Sequence, residues 1–198
     1  MASKLTTLAQ QHQGLDTPIL SRKSVEWLQA KVRDIRNPQR IVADITKERE
    51  RYRGRFITGG LYFFHYDPKY AKTLPYYDIF PLVLVLEKYK DGFMGLNLHY
   101  LPVKYRAIFM DLLLDYAYYN DQDEITRMKI TYNILASSKR FKAFGPCLKK
   151  YLYNHTTSKI IHIQPHEWET ALFLPVEQFK KAKKTEVFKE SLQEIKKA

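Results

Sequence analysis

Cysteine is all but missing from this sequence. Cys147 stands alone among 198 residues, so no internal disulfide can form and an oxidised, disulfide-stapled extracellular framework is excluded. Long apolar runs are missing as well. None approaches the ~18–20 residues needed to cross a bilayer, and the opening MASKLTTLAQQHQG lacks the hydrophobic segment of a secretory signal. The expectation is therefore cytosolic assembly, no membrane partner, and an Asn154-His155-Thr156 sequon that arises by chance. Glycine is scarce, at 7 residues, and forms no phosphate-cradling loop.

Acidic residues are outnumbered, 21 against 33 Lys and Arg, for a formal charge of +12. The excess is not uniform: residues 1–60 carry +6, 61–130 carry −1 and 131–198 carry +7. Two basic ends around a neutral middle point to a polyanionic partner, nucleic acid above all. A basic structural protein docking on acidic neighbours has the same charge signature.

Groupings that do chemistry are also lacking. Histidines stand at 12, 65, 99, 155, 162 and 166 without cysteine or carboxylate partners at metal-site spacing. His162 and His166 are four apart, but Pro165 between them breaks a shared helical face. Asp67, Asp78 and Glu87 with Lys88 are the residue types a magnesium nuclease needs, in no pattern that supports one. The acidic stretch Asn120 to Glu124 lacks the glycine and distant glutamate of a calcium loop. No Ser or Cys nucleophile motif is present. Binding, with no catalytic residue, cofactor or small-molecule substrate, is favoured over an enzyme.

What is present is a dense aromatic centre. The runs Leu61 to Tyr66, Leu82 to Leu86 and Phe93 to Leu101 are short, aromatic and branched, and bounded by Gly, Pro and Asp, which predicts strands. Asp91-Gly92 predicts a tight hairpin between the last two, because that pair tolerates positive backbone angles. The long segment Asp67 to Pro81, between the first strand and the hairpin, gives the element order of an SH3-like barrel. Gly59-Gly60 ends what precedes. Ser21 to Ile35 shows helical spacing, and Asn37-Pro38 opens a second helix expected to run to about Arg53. Pro102 opens a helix with Tyr105, Phe109, Leu112, Leu113 and Tyr116 on its apolar face. Lys159 to Ile163 reads as a strand, and a helix from Pro165 to Pro175 turns Trp168, Ala171 and Leu172 inward.

The expected fold is thus α+β, a small antiparallel β-barrel, SH3-like in layout, with flanking helices and basic terminal extensions. It divides into a flexible arm (1–20), a basic helical segment (21–58), a core domain (59–175) and a basic C-terminal helical tail (176–198). Phe63, Leu84, Leu86, Leu96, Leu98, Phe109, Leu112 and Trp168 are the expected core.

Two stretches are the candidate nucleic-acid contacts. Arg51, Arg53 and Arg55 break the Glu-Arg alternation of the preceding helix, have few acidic partners nearby and lie beside Tyr52, which makes them phosphate-binding candidates. Lys139, Arg140, Lys142, Lys149 and Lys150 interleave with Phe141, Phe144, Tyr151 and Tyr153. Cations hold phosphates, and exposed rings stack on bases at frayed ends. Tyr151 is the foremost stacking candidate. The alternative is an amphipathic helix whose rings face the core.

The string GGLYFFHYDPKYAKTLPYYDIFPLVLVLEKYKDGFMGLNLHYLP, with the later FGPCLKKYL and HEWETALFLPVEQF, resembles the DNA end protector proteins of T-even-like contractile-tailed phages, notably their marine members. The similarity runs from about Leu20 to Lys181. The resemblance implies a virion protein, assembled in the bacterial host cytoplasm. It would bind the termini of packaged linear double-stranded DNA, shield them from host exonuclease, and neighbour other virion proteins. No catalytic residues come with it. The competing function is a structural piece of the phage neck, tail or baseplate, and a phage nuclease is a weaker third.

Overall fold

The structure, a computed structural model, describes residues 52–103, 105–107, 142–163, 168–174 and 176–197. Its centre is one antiparallel sheet of six strands. In chain order these are β1 (Tyr52–Arg53), β2 (Leu61–Phe63), β4 (Leu82–Lys88), β5 (Gly92–Asn97), β6 (Leu148–Leu152) and β7 (Ile160–Ile163), and across the sheet they run β1-β7-β2-β4-β5-β6. A second, two-stranded sheet pairs β3 (Tyr77–Asp78) with β8 (Phe179–Lys180). The helices α1 (Trp168–Phe173) and α2 (Lys184–Lys197) complete the described elements, along with three 3-10 turns at Leu98–Tyr100, Lys142–Cys147 and Tyr153–His155.

The strands Leu61–Phe63 and Leu82–Leu86 are apolar at every position, so the period of two sends apolar side chains to both faces and buries the sheet on each. Leu61, Phe63, Leu82, Leu84, Leu86 and Leu96 turn to one side, where Trp168, Ala171 and Leu172 of α1 and Val187 of α2 cover them. Tyr62, Phe64, Val83, Val85, Phe93 and Tyr151 turn to the other, where rings pack on rings. Phe93 stacks on Tyr151 with centroids 5.3 Å apart, and Phe56 lies 4.3 Å from Phe93. Each such pair adds ~0.5–1.5 kcal/mol beyond its buried area. Phe63, Leu84, Leu86, Leu96, Leu98 and Trp168 are buried as expected. Phe109 and Leu112 lie outside the described residues, as do the arm, both N-terminal helix starts and the acidic stretch.

Several expectations are corrected. The sheet is not a closed barrel: β1 and β6 lie at opposite edges, and no pair among the described residues joins them. The segment Asp67 to Pro81 is not a free barrel loop either, because its Tyr77–Asp78 pairs with Phe179–Lys180 from near the C-terminus. The helix expected to reach Arg53 gives way to β1, where Tyr52 faces Ile161 and Arg53 faces Ile160. Pairing with the exposed edge of β7 satisfies backbone groups that a helix ended by glycines at 54, 59 and 60 would leave open. Of those, Gly59 has the left-handed φ of 78° that favours glycine. The third strand stops at Asn97, whose side chain accepts from His99 N and caps the turn Leu98–Tyr100.

The hairpin of β4 and β5 forms, but Gly92 serves it differently from the expectation. Tyr89 N donates to Gly92 O at 2.8 Å, leaving Lys90 and Asp91 at the tip, and neither Asp91 nor Gly92 has a positive φ. Glycine is required because a Cβ at 92 would sit 2.0 Å from the carbonyl oxygen of Tyr151 on β6. The close approach of β6 selects it.

Two buried polar arrangements tie the chain's later segments to this sheet. Arg106, fully buried, donates from Nε to Leu101 O at 2.7 Å and from Nη1 to Leu172 O at 3.0 Å, and it pairs with Glu177. Burial pushes the Glu177 carboxyl up, but Arg106 beside it outweighs burial and holds it below its ordinary 4.5. The second arrangement centres on Asp78, which is 4% exposed. One of its oxygens accepts from Phe80 N and Gln178 N, and the other from Asn97 Nδ2 at 3.2 Å and His99 Nδ1 at 2.7 Å.

A carboxyl with a lowered pKa contributes stability above the unfolded value and loses it as pH falls through the folded one. Stability should therefore decline as pH drops below about 4.5. In denaturant titrations Glu177→Gln should flatten that decline. It should also cost ~3–5 kcal/mol at neutral pH, the cost of leaving a buried charge without its partner. An unchanged pH profile would contradict the assignment.

Candidate nucleic-acid interface

Of the expected contact residues, Arg55, Lys149, Lys150 and Tyr151 have described side chains. Arg51, Lys139, Arg140 and Phe141 lie outside the described residues. Arg53 stands in β1 and Lys142 opens the turn Lys142–Cys147. From Lys142 onward, the stretch read as aromatic-interleaved, with an amphipathic helix as the alternative, is that turn followed by strand β6, so the residues of β6 alternate between sheet faces.

That alternation corrects the leading stacking candidate. Tyr151 is 4% exposed, wedged among Phe64, Tyr66 and Phe93. Burial raises its phenol well above the usual range, and no ring face remains for a base. Phe144 is buried too. The periodicity was compatible with this outcome, because a strand sends every second side chain into one face.

The described lysines of β6 are both engaged. Lys149 places its ammonium 4.4 Å from the centre of the Tyr100 ring, and burial lowers its pKa. Lys150 is exposed and pairs with Asp91 at 3.1 Å. A bond from Lys150, with its charge, holds the Asp91 carboxyl below the ordinary range. Lys181, in a left-handed conformation with φ 69°, donates to Lys72 O and Leu74 O, each at 2.8 Å. It pins the loop that precedes β3.

Arg55 is different. It is exposed and lines a groove of about 550 Å³ at the end of the aromatic cluster, with Lys88 on β4 facing the same space. Among the described residues no carboxylate pairs with either cation. Tyr153 forms an aromatic wall backed by the buried Phe56, their rings stacked at 20° and 6.2 Å apart. Tyr153 is half-buried, and burial followed by the Asp91 charge raises its phenol. Tyr89, 38% exposed, stands at the rim and donates to Glu87 Oε2 at 2.7 Å. Thr156, Ser158 and Ile160 complete the lining.

Sequence reasoning found Arg55 and Tyr153 but missed Lys88, Phe56 and Tyr89. A hairpin presents the residues beside its tip, so Lys88-Tyr89-Lys90 carried a signal. The crossing of residues 54–56 with 153–160 carried none, because it depends on β1 pairing with β7. No group of three or more His, Cys, Asp or Glu among the described residues is placed to hold a metal ion. No described helix is long and apolar enough to cross a membrane.

The family model described as Phage T4 terminal DNA protecting protein matches residues 18–194. This chain belongs to that family. The match takes in all eight strands and both described helices up to residue 194, so the sheet and the groove are parts of the family's own region. No curated protein and no solved structure matches the chain.

The burial of Tyr151 makes a direct prediction. Tyr151→Ala should lower unfolding stability by ~3–5 kcal/mol, as for other buried aromatics cut to Ala. Any loss of DNA affinity should track the unfolded fraction and vanish under conditions where the variant is fully folded. A folded, fully stable variant with selectively weakened DNA binding would return Tyr151 to the interface.

Proposed function

We propose that this protein is a phage virion component that occupies the ends of linear double-stranded DNA and thereby denies them to host exonucleases. The observation that carries this reading is family membership over residues 18–194. The formal charge of +12 supports it. Duplex DNA presents about one negative charge per 1.7 Å of axis, and each phosphate neutralised by Lys or Arg releases condensed counterions. Affinity of this kind needs no sequence readout. The described residues offer no helix that presents Asn, Gln and Arg to base edges in a groove.

Protection by occupancy also needs no chemistry on the protein. An exonuclease must seat the terminal nucleotide in its own active site, and a bound protein excludes it sterically. Arg55 and Lys88 are the described cations best placed for phosphate, being exposed and without carboxylate partners. Arg51, Arg53, Lys139, Arg140 and Lys142 remain proposed contributors. Lys149 and Lys150 are weaker ones, since a ring and a carboxylate already hold their charges.

Purified protein should slow exonuclease digestion of linear duplex while leaving internal endonuclease cuts unaffected. Charge reversal at Arg55 and at Lys88 should each lower the slope of log affinity against log salt by roughly 0.9. Equal binding to circular and linear DNA, with no exonuclease protection, would instead assign the basic surfaces to acidic protein neighbours in the neck, tail or baseplate.

A further inference from the structure

Phosphate contacts alone give no reason to prefer a terminus, since internal duplex offers far more phosphates. Preference requires something that only an end displays, and an unpaired terminal nucleotide is one such thing. It combines a π face with a phosphate, and the groove beside Arg55 combines the matching partners in one space.

We propose that this groove takes a single unpaired terminal nucleotide of a DNA strand, its base against Tyr153 and its phosphate between Arg55 and Lys88. The assignment rests on the end-binding reading above and names the place where the end is recognised. Its volume of about 550 Å³ falls within the roughly 300–1,000 Å³ of pockets that enclose ligands of mononucleotide size. The Tyr153 ring is held in place, because the buried Phe56 behind it packs on Tyr62, Phe64 and Phe93 as well as on Tyr153. A rigid ring binds a base without first having to be ordered. The two cations carry no competing ion pair among the described residues. Acidic or purely apolar occupants fail one half of this set. A carboxylate would use the cations and leave the rings bare, and an apolar side chain would do the reverse.

The groove can be closed without removing any of these groups. Gly54 lines it, and a Cβ built there meets nothing within 4 Å, so Gly54→Leu is compatible with the fold and fills the space a nucleotide would need. The test uses the full chain and four DNAs of one sequence: a covalently closed circle, a linear duplex with blunt G·C-paired ends, and the same duplex with one unpaired 5′ or one unpaired 3′ nucleotide. At least one unpaired end should bind roughly 5- to 150-fold more tightly than the blunt end, the equivalent of one stacked base. Gly54→Leu should bring that ratio close to one, and Lys88→Gln, at an exposed position, should reduce it.

Equal affinity for blunt and unpaired ends, with linear DNA still preferred over the circle, would overturn the groove assignment alone. A preference for unpaired ends that survives Gly54→Leu would overturn it as well. No preference for linear over circular DNA would overturn the end-binding reading and the groove assignment together.

Discussion

The Asp78 carboxylate is the constraint on which the rest of the structure depends. It sits at 4% exposure, where an acceptor left open would cost ~1–3 kcal/mol or more. Four donors fill its two oxygens, and they come from separate parts of the chain: Phe80 beside it, Asn97 at the end of β5, His99 in the following turn and Gln178 just before β8. One side chain thereby fixes the loop from 67 to 81, the end of the hairpin and the approach to the C-terminal helix. Arg106 and Glu177 repeat the device one layer away, joining Leu101, Leu172 and residue 177 through a single guanidinium. Networks of this kind are sensitive to the loss of any member, so they favour one arrangement of the chain over others that bury the same apolar area.

With its ends tied in this way, the sheet can be thick with aromatics on both faces and still present a defined surface. The aromatic cluster of the second face runs out to Phe56 and Tyr153, and there it becomes a wall of the groove. The cations divide by the same logic. Lys149, Lys150 and Lys181 are drawn into a ring contact, an ion pair and two backbone carbonyls, so they serve the fold. Arg55 and Lys88 face open space at the groove and are available to a polyanion. Net charge alone would have weighted all five equally.

The strands were legible in the sequence because their signals are local. Leu82 to Leu86 and Lys159 to Ile163 are short branched apolar runs, and the inward turn of Trp168, Ala171 and Leu172 follows helical spacing. Barrel closure and the course of residues 67–81 were not legible. They depend on β8, a two-residue strand whose pairing with Tyr77–Asp78 spans about a hundred residues and leaves no periodic trace. Asp78 itself read as an unassigned carboxylate, because its four donors come together only in the fold. Tyr151 failed as a contact for a related reason. An aromatic among lysines has the same spacing whether its ring faces a base or the core, and only the face of β6 decides.

The central claim is that the ends of linear DNA meet this protein at one rigid surface, where residues 54–56, 88–90 and 153–160 converge. Hydrogen–deuterium exchange of the full chain, with linear duplex and with a covalently closed circle of the same sequence, tests it directly. The account predicts that linear DNA slows exchange in those three segments and that the circle at equal phosphate concentration leaves them close to the free protein. Equal slowing by both DNAs, or slowing confined to other segments, would contradict it.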